Sequence, residues 1–222
     1  YNNVKIRNLK NKKSEITQVK GLPKNPKLSN ISWSPDQKRI ALTNTTETGV
    51  ELWVLELENG SVTKLTESNL NSNIGSVINW FSDSENMLVK MISNNRRPLI
   101  DTNKIVPDGP TISTNFGEKA QNRTYQDLLK NKFDEHNFEQ LSTSTIYKVS
   151  IDGTAKKWMD DGMYRTISFS PNGEYVMISQ INKPFSYLVT YSRFPTETNI
   201  YTKDGDFVSN LQKVPLIEEL PK

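Results

Sequence analysis

The sequence predicts an all-β protein built from repeated four-stranded antiparallel units, with one helical insertion. Three observations support this. Short β-type runs dominate the chain, a turn of the Ser-Pro-Asp type begins at Ser34, Ser82 and Ser170, and tight turns ending in Gly recur between later strands. Four antiparallel strands in roughly 40 residues are typical of one β-propeller blade. The predicted fold class is therefore all-β, a partial β-propeller of four-stranded antiparallel blades.

The first complete unit covers residues 31–66. Residues 31–34 are predicted as a strand that turns at Pro35-Asp36-Gln37 into a partner strand at 39–43. Residues 50–57 are apolar on much of both faces, which predicts a buried third strand. Asn59-Gly60 is a two-residue hairpin turn, because both residues tolerate a positive φ, and the chain returns as the fourth strand.

The same unit recurs twice. First strands and turns of this type lie at 77–84 and 167–173, and later hairpins turn at Asp152-Gly153 and Asp204-Gly205. Residues 4–19 are expected to hold the last two strands of a preceding blade. Residues 1–222 thus predict about three blades plus an N-terminal half blade, fewer than the roughly four to eight that close a ring. We expect either a larger propeller or self-association through the open blade edges.

The interval between the second and third Ser-Pro-Asp-like turns is roughly 40 residues too long for one blade, which indicates an insertion at about 94–144. Its helical pattern predicts a helix at about 124–139, broken near Asp134. Thr124 is the expected N-cap, with Asp127 three residues on. We expect this helix to pack over a blade edge or to cover the mouth of the propeller. Its apolar face comprises Leu128, Leu129, Phe133, Phe138 and Leu141.

Composition excludes several kinds of chemistry. The chain has no cysteine and one histidine, His136, which excludes disulfides, thiolate nucleophiles and sites that need several imidazoles. No G-x-S-x-G motif occurs. The net charge of +3 is too mild to argue for nucleic acid or a membrane surface. We interpret His136 as a solvated residue near a helix C-terminus, and we expect no catalytic residue, no metal and no cofactor.

The blade signature resembles a known family. Ser32-Trp33-Ser34-Pro35-Asp36 and Leu52-Trp53-Val54 resemble the N-terminal β-propeller of prolyl oligopeptidase-family serine peptidases, although TolB-like propellers carry nearly the same pattern. Residues 123–130 and 183–195 are similar to segments of the glutamyl endopeptidase branch of that family, known from chloroplasts and bacteria. The tail at 214–221 also resembles that branch. In this family the propeller restricts access to a C-terminal α/β-hydrolase domain that carries the catalytic Ser, Asp and His.

The resemblance implies a non-catalytic propeller portion of a serine peptidase that hydrolyses peptide bonds, with cleavage after Glu as one option. This portion would gate and position a peptide substrate for an α/β-hydrolase domain that the sequence lacks, so the chain alone is expected to be inactive. The start at Tyr1, without Met, leads us to expect an excised or processed piece. A soluble, exported periplasmic location is slightly favoured. The alternative is a stand-alone protein- or ligand-binding β-propeller without peptidase activity.

A preference for acidic side chains needs a fixed cation, and Arg suits this because its planar fork pairs with a carboxylate. Arg123 and Arg193 lie in the two segments similar to the glutamyl branch, and Arg97 lies in or beside a predicted loop. We hypothesise that one or two of these three arginines bind the substrate. The alternative is that they are surface charges or pair with nearby carboxylates. Tyr164, placed in the loop before a first strand, is a weaker substrate-binding candidate.

Overall fold

The computed structural model describes residues 1–7, 9, 15–101, 104 and 125–218. These residues form thirteen strands, one α-helix and a short 3-10 helix at Tyr191–Arg193. The helix, α1, covers Lys132–Ser142. The strands are β1 (Lys5–Ile6), β2 (Thr17–Gln18), β3 (Leu28–Trp33), β4 (Arg39–Thr45), β5 (Val50–Glu56), β6 (Val62–Lys64), β7 (Ile78–Trp80), β8 (Asn86–Ile92), β9 (Ser144–Ser150), β10 (Ala155–Phe169), β11 (Tyr175–Ile181), β12 (Thr196–Thr202) and β13 (Phe207–Val214).

All strand pairs are antiparallel and follow chain order. The first blade is the four-stranded sheet β3-β4-β5-β6, and β1 pairs with β2 ahead of it. Strands β7 to β13 form one seven-stranded sheet, because β10 belongs to two blades. Its first part, to Gly162, pairs with β9 and completes the second blade. Its second part, from Met163, pairs with β11 and begins the third blade. This confirms the predicted partial β-propeller of four-stranded antiparallel blades.

The recurring turns are held by hydrogen bonds from side chains within the turn. Ser34 Oγ donates to Asp36 Oδ1 at 2.6 Å and accepts the backbone N–H of Arg39 at 2.9 Å. The hydrogen bond from Ser34 lowers the pKa of the Asp36 carboxyl. Ser170 Oγ likewise donates to Asn172 Oδ1, at 2.7 Å. Hydroxyl and carboxylate or amide oxygens at this spacing stabilise a tight turn locally, which is why the motif could be read from sequence.

Successive blades pack face to face through apolar clusters. Ala41, Leu52 and Val54 of the first blade pack against residues of the second, including Met87 and Val89. A second cluster fills the space between the second and third blades, and a third joins the first blade to the N-terminal residues. The first strands of neighbouring blades converge, since Trp80 Nε1 on β7 donates to the Ser32 carbonyl on β3 at 3.2 Å. That edge is therefore the inner side of each blade.

Because neighbouring strands are antiparallel, several of the connections between strands lie at the same end of the blades. The loop from β8 to β9, which contains α1, lies at the same end as the loop from β11 to β12. The connection between the first and second blades (residues 65–77) and the crossing point within β10 also reach this end. We call it the insertion end. The Ser-Pro-Asp-like turns lie at the opposite end, so any site built by the insertion is remote from them.

The helix begins later than expected, at Lys132 rather than near 124. Asn131 is the N-cap, and its side chain accepts the backbone N–H groups of Phe133 and Asp134, each at 2.9 Å. Thr124 lies outside the described residues. Asp127 has a φ of 61°, in the left-handed region, and a right-handed helix cannot run through that conformation. None of the described helices has the length and apolar character that would let it cross a membrane.

Candidate functional site

The start of the insertion runs alongside α1 and is joined to it by side chain–backbone hydrogen bonds. Asn137 bonds both the N–H and the carbonyl of Ile100, each at 2.8 Å. His136 Nε2 donates to the Pro98 carbonyl at 2.9 Å, and Gln140 Oε1 accepts the Arg97 N–H at 2.7 Å. His136 thus lies in the first half of the helix, not near its C-terminus. Its contact fixes the backbone of the insertion.

The C-terminal end of α1 is fixed to the connection between the first and second blades. The last carbonyls of a helix have no partner within it, and here side chains from outside supply the donors. Arg96 Nε donates to Gln140 O at 2.8 Å, and Asn71 Nδ2 donates to Leu141 O at 2.9 Å. Asn73 Nδ2 also donates to Leu141 O, at 2.9 Å. The helix is therefore held across the insertion end.

The base of the insertion is closed by one carboxylate. Asp161 accepts hydrogen bonds from Ser93 Oγ at 2.6 Å and Asn95 Nδ2 at 2.9 Å, at the start of the insertion, and from Thr145 Oγ1 after it. Partial burial opposes ionisation of Asp161, but the hydrogen bonds from Ser93, Thr145 and Asn95 outweigh it and lower the pKa. Because these donors satisfy it, the carboxylate is an anchor for both limbs of the insertion.

An aromatic cluster joins α1 to the loop between β11 and β12. The ring centroid of Phe138 lies 5.1 Å from that of Phe185 and 5.6 Å from that of Phe194, both edge-on. Leu129 packs on the same cluster. The described part of the first segment, 125–130, therefore meets the segment 183–195 where Leu129 and the loop aromatics pack together. They leave a pocket of about 280 Å³ lined by Gln126, Asp127, Leu129, Phe138, Val189, Thr190, Tyr191 and Phe194.

The candidate arginines fall in different surroundings. The Glu139 carboxylate pairs with Lys183 Nζ at 2.8 Å and with Arg97 Nη2 at 3.8 Å, and the Arg97 side chain is 64% exposed. Arg193 lies in the 3-10 helix of the third-blade loop, and its carbonyl accepts the Ile217 N–H at 3.2 Å. Arg123 lies outside the described residues. Arg97 thus shares a carboxylate with a cation that sequence analysis did not single out, Lys183.

The predicted placement of Tyr164 in a loop is wrong. Tyr164 lies within β10, which runs without interruption from the second blade into the third. Its side chain is 3% exposed and packs in the cluster between these blades. The hydroxyl donates to the Asp160 carbonyl at 2.5 Å, and burial raises the pKa of the phenol. A ring packed in this way offers no surface to a substrate.

Sequence analysis missed Lys90, which is buried at the insertion end with 2% of its surface exposed. Its Nζ donates to the carbonyl of Ile74 and, at 3.3 Å, to that of Tyr164. Burial lowers the pKa of Lys90 to about 8, so it remains charged at neutral pH. No carboxylate in the described part of the chain pairs with it. The available signal was a single charge inside the apolar run at 87–91.

At Gly75 the connection between the first and second blades packs against the crossing point within β10, which connects the second and third blades. Its φ is 60°, and a Cβ on it would lie 2.1 Å from the carbonyl oxygen of Arg165. Lys90 bonds the residues that precede these two, Ile74 and Tyr164. The insertion end therefore contains a compact junction of backbone from two connections, closed by glycine and one buried ammonium.

Two proteins are similar in sequence to most of this chain. No protein-family model matches the chain. It is 32% identical over 213 residues to a probable chloroplastic glutamyl endopeptidase of Oryza sativa subsp. japonica, with 91% of this chain and 22% of that protein covered. This chain is a glutamyl endopeptidase-like propeller segment. The protein of the same name from Arabidopsis thaliana is 31% identical over 218 residues, with 92% of the segment and 22% of that protein covered.

The predicted resemblance to a prolyl oligopeptidase-family propeller region of the glutamyl endopeptidase branch is thus confirmed. The glutamyl endopeptidase-like segment spans about a fifth of the length of these relatives. A solved structure, acylaminoacyl peptidase from Pyrococcus horikoshii, supports the fold. It has a TM-score of 0.51 and 16% identity, and the match covers 96% of the segment and 28% of that chain.

Proposed function

We propose that this propeller portion of a peptidase gates access to, and positions peptides for, an α/β-hydrolase domain that performs the hydrolysis. Two findings support the proposal. The relatives named glutamyl endopeptidase extend far beyond the matched segment, which leaves room for such a domain. The segment itself places a rigidly held helix across one end of its blades. The peptide substrate and the hydrolase domain are the partners of this proposal.

The observation that carries the gating role is the fixing of α1 at several points. Arg96, Asn71 and Asn73 hold its C-terminal carbonyls, and Asn131 caps its first turn. Phe138 anchors its middle on the third blade. A helix held in this way would restrict the entry of a folded protein at the insertion end more than the entry of an extended chain. Segments that lie over the entrance to a site are a common way to restrict access to reacting groups.

Cleavage after Glu is the finer part of the proposal. Arg97, Arg193 and Arg123 are the cations proposed for it from sequence, and the names of the relatives favour an acidic specificity. Arg97 pairs with Glu139 in the absence of substrate. A substrate carboxylate would therefore have to compete with that residue, which makes Arg97 a weaker binder than an arginine without such a partner.

The periplasmic location stays a prediction from the sequence.

The gating role can be tested in the protein that carries this segment together with its hydrolase domain. Arg96→Ala removes a donor from the end of α1, and Lys156→Ala is a control because Lys156 is exposed on the outer part of β10. We expect hydrolysis of a folded protein, relative to that of a short peptide, to rise in Arg96→Ala only. An unchanged ratio would argue against gating. Absence of hydrolysis sensitive to serine-directed inhibitors would instead favour the stand-alone binding propeller.

A further inference from the structure

Arg165 occupies a special position in β10. The register between β10 and β11 shifts between Tyr164 and Thr166, so Arg165 lies in a bulge. Bulges redirect a side chain away from the alternation of the strand. The second part of β10 is the first, inner strand of the third blade, and the bulge lies where this strand reaches the insertion end. Arg165 is therefore a cation at the inner edge of this end.

The backbone around Arg165 is fixed on both sides. Its carbonyl packs against Gly75, where even a methyl group would clash. The preceding carbonyl, of Tyr164, accepts a hydrogen bond from the buried Lys90. The Tyr164 ring is itself buried, and its hydroxyl bonds the Asp160 carbonyl. A side chain that projects from so constrained a backbone loses little entropy when it binds a ligand, apart from that of its own rotamers.

The guanidinium group retains unused donors. Nη1 donates to the Ser192 carbonyl at 3.3 Å, which orients the side chain towards the loop between β11 and β12. A guanidinium has five N–H groups, and Arg165 has no ion pair with a carboxylate of the residues that the structure describes. By contrast, Arg39 pairs with Glu56 and Arg97 pairs with Glu139. Arg165 is thus positioned but not neutralised.

A second cation reinforces the local field. The Lys90 ammonium lies 3.3 Å from the carbonyl of Tyr164, the residue next to Arg165. It is surrounded by protein rather than water, so its charge is screened less than that of a surface lysine. Its partners are neutral carbonyls, which leave the positive charge uncompensated. The Lys90 charge therefore adds to the positive potential around the backbone that carries Arg165.

We propose that Arg165 is a specificity-determining residue that binds the side-chain carboxylate of an acidic residue in an extended peptide. The planar guanidinium offers paired N–H donors to the two carboxylate oxygens, while the amide of Gln presents only one acceptor. The Ser192 carbonyl orients the guanidinium for this pairing, and the Gly75 contact fixes the backbone that carries it. The peptide as ligand rests on the proposed function, but the binding step does not require the hydrolase domain.

The test measures binding to the chain itself by titration followed by NMR. The probes are a blocked peptide with one central Glu and the same peptide with Gln. We expect the chain to prefer the Glu peptide by about tenfold, as a charge-assisted hydrogen bond allows. Arg165→Gln should abolish the preference, and Arg165→Lys should keep part of it. Lys156→Gln, which removes the same charge from an exposed site on the same strand, should leave the preference unchanged.

Two outcomes would overturn the inference: equal binding of both peptides by the unaltered chain, or the same preference in a folded Arg165→Gln variant. If Arg165→Gln does not fold, a chemical-protection experiment on the unaltered chain replaces that variant. Mass spectrometry would then measure the rate at which phenylglyoxal modifies Arg165. We expect this rate to be lower with the Glu peptide than with the Gln peptide, and equal rates would reject the site. A negative result here with a positive gating test would refute Arg165 as the binding residue and leave the proposed function standing.

Discussion

The ammonium of Lys90, on β8, lies 3.3 Å from the carbonyl oxygen of Tyr164, on β10, although β9 separates the two strands in the sheet. The contact is possible because Tyr164 lies beyond the point where β10 leaves β9. A buried charge without a carboxylate partner is costly, and this one is held by carbonyls of two different connections. It therefore links the two connections at a cost in desolvation, and this cost makes the stability of the fold depend on pH.

We expect the free energy of unfolding to rise between pH 8 and 10.5. The pKa of Lys90 is lowered to about 8 in the folded chain from 10.5, so the unfolded chain binds more protons in this window. Below pH 8 the charged lysine costs about 3 kcal/mol. Urea denaturation at a series of pH values would measure the rise. Lys90→Met should flatten it relative to Lys156→Met, and parallel profiles for the two variants would contradict this account.

Gly75→Ala should destabilise the chain by about 3 kcal/mol or more, because it adds a backbone clash to the cost of a positive φ. Gly153→Ala is the matched control. Gly153 has a φ of 88°, but its nearest neighbour would lie 3.7 Å from a Cβ, so only the conformational cost of about 1 kcal/mol is expected. Thermal and urea unfolding of both variants would give the difference. Equal losses of stability in the two variants would mean that the backbone around Gly75 shifts to accommodate the methyl group.

Asn131→Ala should cost about 1 kcal/mol through the loss of the N-cap. The effect should be local, with faster amide hydrogen exchange in the first turn of α1, since the caps at its other end are untouched. Lys132→Ala changes the neighbouring exposed residue without removing a capping group and should exchange as the unaltered chain does. Equal acceleration in both variants would show that Asn131 is not the residue that starts the helix.

Phe138 and Phe185 should show energetic coupling in a double-mutant cycle with Leu at each position. Edge-to-face pairs at their separation contribute about 0.5–1.5 kcal/mol beyond burial. Urea unfolding of the two single variants and the double variant gives the coupling. Phe207, which is 61% exposed on β13, provides the control pair with Phe138, for which the single effects should add. Full additivity in the first cycle would exclude a specific contact between the helix and the third blade.

Local patterns predicted the fold, and long-range packing accounts for the errors. The Ser34 and Ser170 turns close through side chains two to five residues away, so their sequence carries the information. The helix begins at Lys132, later than predicted, because Asp127 adopts a left-handed conformation, which propensity does not reveal. Tyr164 was misplaced because a bulged strand that serves two blades looks in sequence like two strands and a loop.

The candidate site was less accessible from sequence for the same reason. The segments at 123–130 and 183–195 could be singled out, but the packing of Leu129 against the cluster that contains Phe194 required the fold. Lys90 was visible as a charge within an apolar run, yet its carbonyl partners lie on remote segments. The setting of Arg165 depends on Gly75, a residue of a different connection, and no local pattern links the two.

The sharing of β10 between two blades has a mechanical consequence. A force that separates the second blade from the third must first pull β10 away from β9 or from β11. The first blade, by contrast, is joined to the second by residues 65–77, side-chain packing and scattered hydrogen bonds. Under tension the chain would therefore yield first between the first and second blades. The second and third would detach together, as one cooperative unit.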